Sequence, residues 1–259
     1  MCLLAVPWTY SSEILWPTTY PKCGDPYQSP IDVVVNEVVA VAFDEISHNI
    51  GLLYIIKLHN NGRYVTGHLE LGLLDTPTVR IGNGPQYKFD HFRFHWRKEG
   101  APSSENSING RHYDCEFHYV FINEKYVDFD EATNHDDGLL IISVLCVIDD
   151  SLKDKTFLTD ILLEVEKIAN FNTDAYTAKV PIFDFIKDLL KVDSSHAYFK
   201  YRGSLTTPPC AGADIILLKD PKHIQRVEYD AFLPLEDENN KPIYTNVRGI
   251  KPKDGRIVN

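Results

Sequence analysis

The sequence predicts a mainly β protein of the α+β class, with a mostly antiparallel sheet and peripheral helices. Short runs of β-branched and aromatic residues recur along the chain, turn signals separate them, and only two stretches show helical periodicity. Many strands with few helices are typical of an antiparallel sheet with helices at its periphery. No linker, repeat or low-complexity tract divides the chain. We therefore expect residues 1–259 to form a single domain.

The individual elements follow from the same patterns. The predicted strands lie at 53–58, 64–69, 91–96, 115–122, 139–147, 197–201 and 214–218. Asn-Asn-Gly at 60–62, Gly-Asn-Gly at 82–84 and Asn-Gly at 109–110 supply the residues that tight turns prefer. Apolar residues at three- and four-residue steps predict an amphipathic helix at about 156–169, and a shorter helix is predicted near 184–190.

Composition restricts the classes of partner. Hydrophobic content of 44% and charged content of 24% are ordinary for a globular protein. The formal net charge of −11 disfavours nucleic acid, sulfated glycosaminoglycan and anionic lipid as partners, because these carry the same sign of charge. The chain contains no apolar run long enough to span a membrane. Residues 1–6 are too short for a full signal peptide and lack a basic start.

The five cysteines show no CxxC pair and no zinc-ribbon spacing. Cys115 and Cys146 lie in apolar runs and are predicted to be buried thiols. Cys23 and Cys210 lie in loops rich in Gly and Pro and are better disulfide candidates. A bond between them would enclose most of the chain and stabilise the fold by at most about 5 kcal/mol.

Two predicted strands carry a group of polar side chains. Residues two apart on a strand share a face, so His91, Arg93 and His95 project together, as do Glu116 and His118. Three converging histidines form the zinc site that generates a metal-bound hydroxide near neutral pH. Arginine cannot serve as the third ligand, because its guanidinium has five donors and no acceptor. Taken alone, this pattern also fits ordinary packed or surface histidines.

Several short motifs occur in a characteristic order along nearly the whole chain. They are Trp-Thr-Tyr at 8–10, Gln-Ser-Pro-Ile-Asp at 28–32, Asn-Asn-Gly at 60–62, Phe-Arg-Phe-His-Trp at 92–96, Ser-Glu-Asn at 104–106, Glu-Phe-His at 116–118, Ser-Leu-Thr-Thr-Pro-Pro at 204–209 and the tail at 246–256. In order and spacing the chain resembles the α-class carbonic anhydrases. The resemblance implies a large, roughly ten-stranded sheet with a conical cleft. It also implies the Cys23–Cys210 disulfide of the secreted members, so we suspect an extracellular protein.

The resemblance also assigns a metal site. It makes His95 and His118 two zinc ligands and places Arg93 where the first ligand histidine belongs. Glu116 matches the carboxylate that orients a ligand histidine. His91 is a poor substitute for the third ligand, because it lies about 13 Å from His95 along a strand. We expect the Arg93 guanidinium to fill the vacant position and donate to a nearby carboxylate or carbonyl, with Glu116 as one candidate.

The remaining positions of the implied active site are altered in part. Thr206 and Glu105 match the pair that orients the zinc-bound hydroxide. Arg63 stands at the proton-shuttle histidine, and a guanidinium does not titrate near neutral pH. The resemblance implies a substrate pocket lined by Val120, Ile141, Leu205, Thr207 and Ile216. Ile141 and Ile216 depart from the usual valine and tryptophan.

These departures favour a non-catalytic carbonic-anhydrase-related protein that binds an unknown protein or extracellular ligand. Some members of the family carry arginine at this ligand position. On this hypothesis no cofactor is expected. The alternative is a working zinc lyase that hydrates carbon dioxide through an unusual metal site, and zinc would then be its cofactor. A third class is a storage or matrix protein on the same fold.

Overall fold

The computed structural model describes residues 8–40, 44–70, 76–98, 103–156, 158–183 and 198–259. The strands in these ranges are β1 (Asp32–Val33), β2 (Ile46–Asn49), β3 (Ile56–Asn60), β4 (Val65–Leu69), β5 (Thr78–Ile81), β6 (Gln86–His95), β7 (Ser107–Ile108), β8 (Cys115–Asn123), β9 (Leu139–Ile148), β10 (Thr173–Tyr176), β11 (Tyr198–Ser204), β12 (Gly212–Leu218) and β13 (Lys222–Ile224). The α-helices in these ranges are α1 (Trp16–Thr19), α2 (Phe129–Ala132), α3 (Thr159–Val165) and α4 (Arg226–Asp230). Short 3-10 helices lie at Tyr10–Leu15, Pro21–Gly24, Val35–Glu37 and Glu166–Ile168.

The strands form one large sheet, which confirms the predicted fold class. Eleven strands belong to it, and its main path runs β10-β3-β4-β6-β8-β9-β12-β11. Most neighbours are antiparallel, but β12 and β13 both pair with β9 in parallel, so the sheet is mixed. Strands β1 and β7 form a separate parallel pair. Strands β6 and β8 therefore lie in the middle of the sheet, with hydrogen-bonded neighbours on both sides.

The predicted elements agree with the structure apart from their ends. Strand β6 begins at Gln86, before the predicted 91–96 run. The predicted helix at 156–169 is shorter, because α3 gives way to a 3-10 turn at Glu166. The helix near 184–190 and the first residue of the predicted 197–201 strand lie outside the described residues. Asn109 and Gly110 have φ angles of 51° and 74°, the positive values that a tight hairpin turn requires.

Both faces of the central strands are buried. Along β8, Phe117 and Tyr119 point into the larger hydrophobic cluster, whereas Val120 points into a second cluster on the opposite face. This alternation is the period-two pattern of a strand. The second face also carries the polar group at residues 93, 95, 116 and 118. In the described residues no helix is long and apolar enough to cross a membrane.

The cysteines lie as the sequence predicts. Cys23 and Cys210 are joined in a disulfide, with Cα atoms 4.9 Å apart, although the two residues are 187 positions apart in the chain. The disulfide packs beside Trp16 in a small cluster near the start of the described chain. Cys115 and Cys146 are buried thiols.

Candidate functional site

Strands β6 and β8 bring the polar group together. In their antiparallel register Arg93 is opposite His118, and His95 is opposite Glu116. Side chains of directly opposed residues project to the same face of a sheet. The ring centres of His95 and His118 are 4.4 Å apart. The structure thus places the two histidines side by side and puts Arg93 on the same buried face of the sheet.

His95 is held by the chain near its carboxyl end. Its Nδ1 lies 2.9 Å from the backbone carbonyl of Asn246, to which it donates, so Nε2 carries the lone pair. Nε2 is buried and has no hydrogen-bond partner. Burial, followed by the neighbouring His118, lowers the pKa of His95 well below its usual value. His95 is therefore a neutral imidazole with a free acceptor atom directed into the site.

Asn246 is fixed in turn by β6. Its side-chain amide donates to the carbonyl of Phe94 at 2.7 Å, and its Oδ1 accepts from the amide of Trp96 at 2.6 Å. Asn246, whose carbonyl orients His95, is therefore hydrogen-bonded to the two residues that flank His95 on β6. The sequence placed Asn246 in a family-like tail but did not indicate this role.

His118 is oriented from the other side. Its Nε2 lies 2.8 Å from Glu116 Oε1, which leaves Nδ1 facing the site. Asn106 donates to Glu116 through its backbone amide at 2.7 Å and its side chain at 2.6 Å, and the Ser143 hydroxyl donates as well. Burial raises the pKa of Glu116, but the hydrogen bonds from His118, Ser143 and Asn106 outweigh it and lower that pKa to about 2. Glu116 is an ionised acceptor whose donors are already in place.

Arg93 does not donate to Glu116, so that expectation is wrong. Its Nε donates to His91 Nε2 at 2.8 Å, and its Nη1 donates to Thr207 Oγ1 at 2.6 Å. The guanidinium also lies over the ring of Tyr64, at 4.7 Å from its centre. Glu116 already accepts from other donors, and the guanidinium bonds instead to two neutral acceptors, His91 and Thr207. Arg93 is 7% exposed and fixed by these contacts.

His91 is committed to Arg93 and is not positioned as a replacement ligand. Its Nδ1 bonds to Asp90, which leaves Nε2 as the acceptor for the guanidinium. Burial, followed by the charge of Arg93, lowers the pKa of His91 to about 4, so the ring is neutral at physiological pH. Arg93 and His91 line a cavity of about 390 Å³ together with His68 and Phe129. The sequence offered no signal for this Asp90–His91–Arg93 series beyond its local spacing.

Glu105 is the third polar side chain of the site, beside His95 and His118. Its Oε1 accepts from the backbone amide of Arg248 at 2.8 Å, whereas Oε2 is buried without a partner. Burial is the main cause that raises its pKa to about 7, while His118 and the hydroxyl of Thr206 act in the opposite direction. Ligand atoms of His95, Glu105 and His118 all lie within 4.8 Å of one another. These three side chains are the group in the described residues with the donor types to hold a metal ion.

The apolar wall lies beside this group, with one correction. Val120, Ile141 and Leu205 share the second hydrophobic cluster, on the face that carries the site. Ile216 instead belongs to the larger cluster on the other face, so its assignment to the pocket is wrong. In the parallel pairing of β9 and β12, Ile215 is opposite Ile141 and Ile216 is opposite Ile142. Ile215, and not Ile216, therefore packs with Val120, Ile141 and Leu205 in the apolar wall.

Two further predicted residues lie near the site. Thr207 is fully buried and accepts the hydrogen bond from Arg93. Arg63 lies farther out, where its Nε donates to the carbonyl of Trp8 at 2.9 Å and its guanidinium faces the Trp8 ring at 5.0 Å. Arg63 lines a separate cavity of about 300 Å³ with Trp8 and Tyr244. The structure thus ties Arg63 to the amino-terminal segment and not to the histidines.

Comparison with known proteins agrees with the fold. A family model described as eukaryotic-type carbonic anhydrase matches residues 11–259. Carbonic anhydrase 6 of Mus musculus is 30% identical over 97% of this chain and 80% of its own length. Carbonic anhydrase 6 of Canis lupus familiaris is 28% identical, over 97% of this chain and 79% of its own length. Carbonic anhydrase 7 of Homo sapiens is 28% identical, over 94% of this chain and 91% of its own length.

Proposed function

Because the chain belongs to the eukaryotic-type carbonic anhydrase family, we propose that it is a non-catalytic member that acts by binding a partner. The observation that carries this proposal is Arg93, a buried cation in the position of a metal ligand. It is held there by His91 and Thr207, so the site is built around the guanidinium. The hydroxide-orienting pair, Thr206 and Glu105, is then a remnant of the catalytic site.

The residues fit the family's zinc ion only in part. His95 and His118 present acceptor nitrogens to a common point, and their second nitrogens are oriented by Asn246 and Glu116. Zinc of this class supplies a metal-bound hydroxide when three histidines hold it. Here the third corner offers only donors and a positive charge, which repels a dication. The three-histidine site is therefore incomplete, and we assign no hydration step to it.

The direct test measures metal and turnover on the same sample. Purified protein would be dialysed against zinc, freed of excess metal and analysed for zinc by elemental analysis, and CO2 hydration would be followed by stopped flow. We expect substoichiometric zinc and hydration at the background rate. Stoichiometric zinc with hydration well above background would refute the proposal.

One observation favours a second candidate, a zinc lyase with an altered ligand set. His95, Glu105 and His118 could hold a metal without Arg93, since Nε2 of His95 and Oε2 of Glu105 both lack partners. In that case Glu105 would be occupied as a ligand and unavailable to Thr206. A Glu105→Gln variant separates the two candidates. Loss of bound zinc and of turnover together in this variant would support the lyase.

The partner's location and chemistry are constrained in outline. Disulfides persist in oxidising compartments, so the Cys23–Cys210 bond supports an extracellular location. The net charge of −11 argues against polyanionic glycosaminoglycan and nucleic acid. We propose an extracellular protein or small ligand as the partner. Affinity capture with the intact chain, compared with an Arg93→His variant, would test whether the altered cleft takes part.

A further inference from the structure

Cys115 and Cys146 lie directly opposite each other on the neighbouring antiparallel strands β8 and β9. Opposed residues in such a ladder have Cα atoms about 4.5–5.5 Å apart, within the range of about 4.4–6.8 Å that disulfides span. Both side chains are buried in the same hydrophobic cluster, so they project from the same face. In this structure both side chains are free thiols. We propose that in the mature protein they are oxidised to a second, cross-strand disulfide.

The inference uses the oxidising compartment that the first disulfide indicates. The Cys23–Cys210 bond requires a disulfide oxidant during folding, either an oxidoreductase or a low-molecular-weight disulfide. The same class of oxidant would meet Cys115 and Cys146 before the sheet closes. The inference rests on the extracellular location in the proposed function, and it is independent of whether the cleft binds zinc.

The bond would form by two exchanges. In the first, one cysteine thiolate attacks the disulfide of the oxidant, whose S–S bond breaks and releases one thiol. In the second, the other cysteine thiolate attacks the resulting mixed disulfide, and a second thiol leaves. The two cysteines together lose two protons and two electrons, which reduce the oxidant to two thiols.

Burial restricts formation of this disulfide to the stage before the sheet has closed. In the folded chain Cys115 is 4% exposed and Cys146 is fully buried. A hydrogen bond with Cys146 and burial raise the pKa of Cys115 well above its usual value, so the attacking thiolate is scarce after folding. The bond must therefore form while β8 and β9 come together. Once made, it would link the strand that carries Glu116 and His118 to the strand that carries Ser143.

The test counts thiols in the full chain. Protein secreted into oxidising medium would be unfolded without reductant, alkylated and digested for mass spectrometry. Of the five cysteines, we expect only Cys2 to be alkylated, with a peptide containing Cys115 linked to one containing Cys146. In a Cys115→Ala control, Cys146 should become alkylated while the Cys23–Cys210 bond remains.

Two results would contradict the Cys115–Cys146 disulfide. Alkylation of both Cys115 and Cys146 in wild-type protein whose Cys23–Cys210 bond is intact would overturn the inference. A bond from either of them to Cys2 would overturn it as well. Neither result would bear on zinc content or CO2 hydration, so the proposed function would be judged separately.

Discussion

Replacing Arg93 by histidine should turn the site of His95 and His118 into a tight zinc site. Two ligands already have the required orientation, because Asn246 fixes His95 and Glu116 fixes His118. Position 93 is opposite His118 in the β6–β8 register, so a histidine there points to the same face. The Arg93→His change adds a third imidazole and removes the repelling cation in one step.

The size of the effect can be bounded from known ligand energetics. Loss of a group that merely orients a ligand lowers metal affinity by about 10–100-fold. Restoring a whole ligand should exceed this, so we expect zinc affinity to rise by more than about 100-fold, or about 2.7 kcal/mol. Without zinc, the buried acceptors of His91 and Thr207 lose their donor. An unsatisfied buried group costs about 1–3 kcal/mol, so the loss of the donor to both acceptors should make the metal-free variant less stable than wild type by about 2–6 kcal/mol.

Zinc should offset much of that loss. A ligand at about 1,000 times its Kd stabilises the folded state by about 4.1 kcal/mol, which lies in the middle of that range. The assay is urea unfolding with and without zinc, together with zinc titration by calorimetry. Arg93→Leu is the matched control, since it removes the charge without adding a ligand. CO2 hydration should return only in part if Arg63 stands, as the resemblance implies, at the position of the proton-shuttle histidine.

The comparison with Arg93→Leu tests whether residue 93 faces the two histidines. If Arg93→His binds zinc no more tightly than Arg93→Leu, then residue 93 does not face the two histidines, and the assignment of the site is wrong. If wild-type protein binds zinc as tightly as Arg93→His, then the guanidinium does not exclude the metal.

Three further predictions concern Asn246, the Cys23–Cys210 disulfide and Glu105. In the Arg93→His background, Asn246→Ala should weaken zinc binding by up to about 10–100-fold in calorimetry, because the backbone carbonyl that accepts from His95 loses the side-chain bonds to Phe94 and Trp96 that hold it in place. Cys23→Ser should lower the free energy of unfolding by up to about 5 kcal/mol in urea titration, since the broken disulfide spans 187 positions. Because burial raises the pKa of Glu105 from 4.5 to about 7, its proton is bound more tightly in the folded state. Its contribution is present below pH 4.5 and is lost as pH rises to about 7, so the stability of wild type relative to Glu105→Gln should fall across that window. A flat difference would contradict the pKa assignment.

The long strands and the polar group could be predicted from the sequence, because both depend on local alternation. Strands such as β2 and β10 were missed, since four residues are too few to show a pattern. The resemblance assigns Ile216 to the pocket wrongly, because a match of positions along the chain does not fix the register of β12 against β9. A one-residue difference in register exchanges the two faces of a strand.

The hydrogen-bond acceptors of Arg93 could not be predicted from the sequence, for a different reason. Glu116 is near in sequence and opposite in charge, which made it a reasonable acceptor. Its oxygens are taken by Asn106 and Ser143, and Ser143 comes from a strand that is distant in the chain. Competition between acceptors is decided by tertiary contacts, and local spacing carries no information about it.

The central position of β6 and β8 in the sheet determines how the cleft can meet another molecule. Each strand is hydrogen-bonded along both edges, so the backbone beneath the polar group cannot shift without breaking two ladders. A partner of the kind we propose would therefore meet a preformed surface, and its association would involve little loss of chain entropy. Free and bound forms should then share one backbone, with adjustment confined to rotamers at the rim.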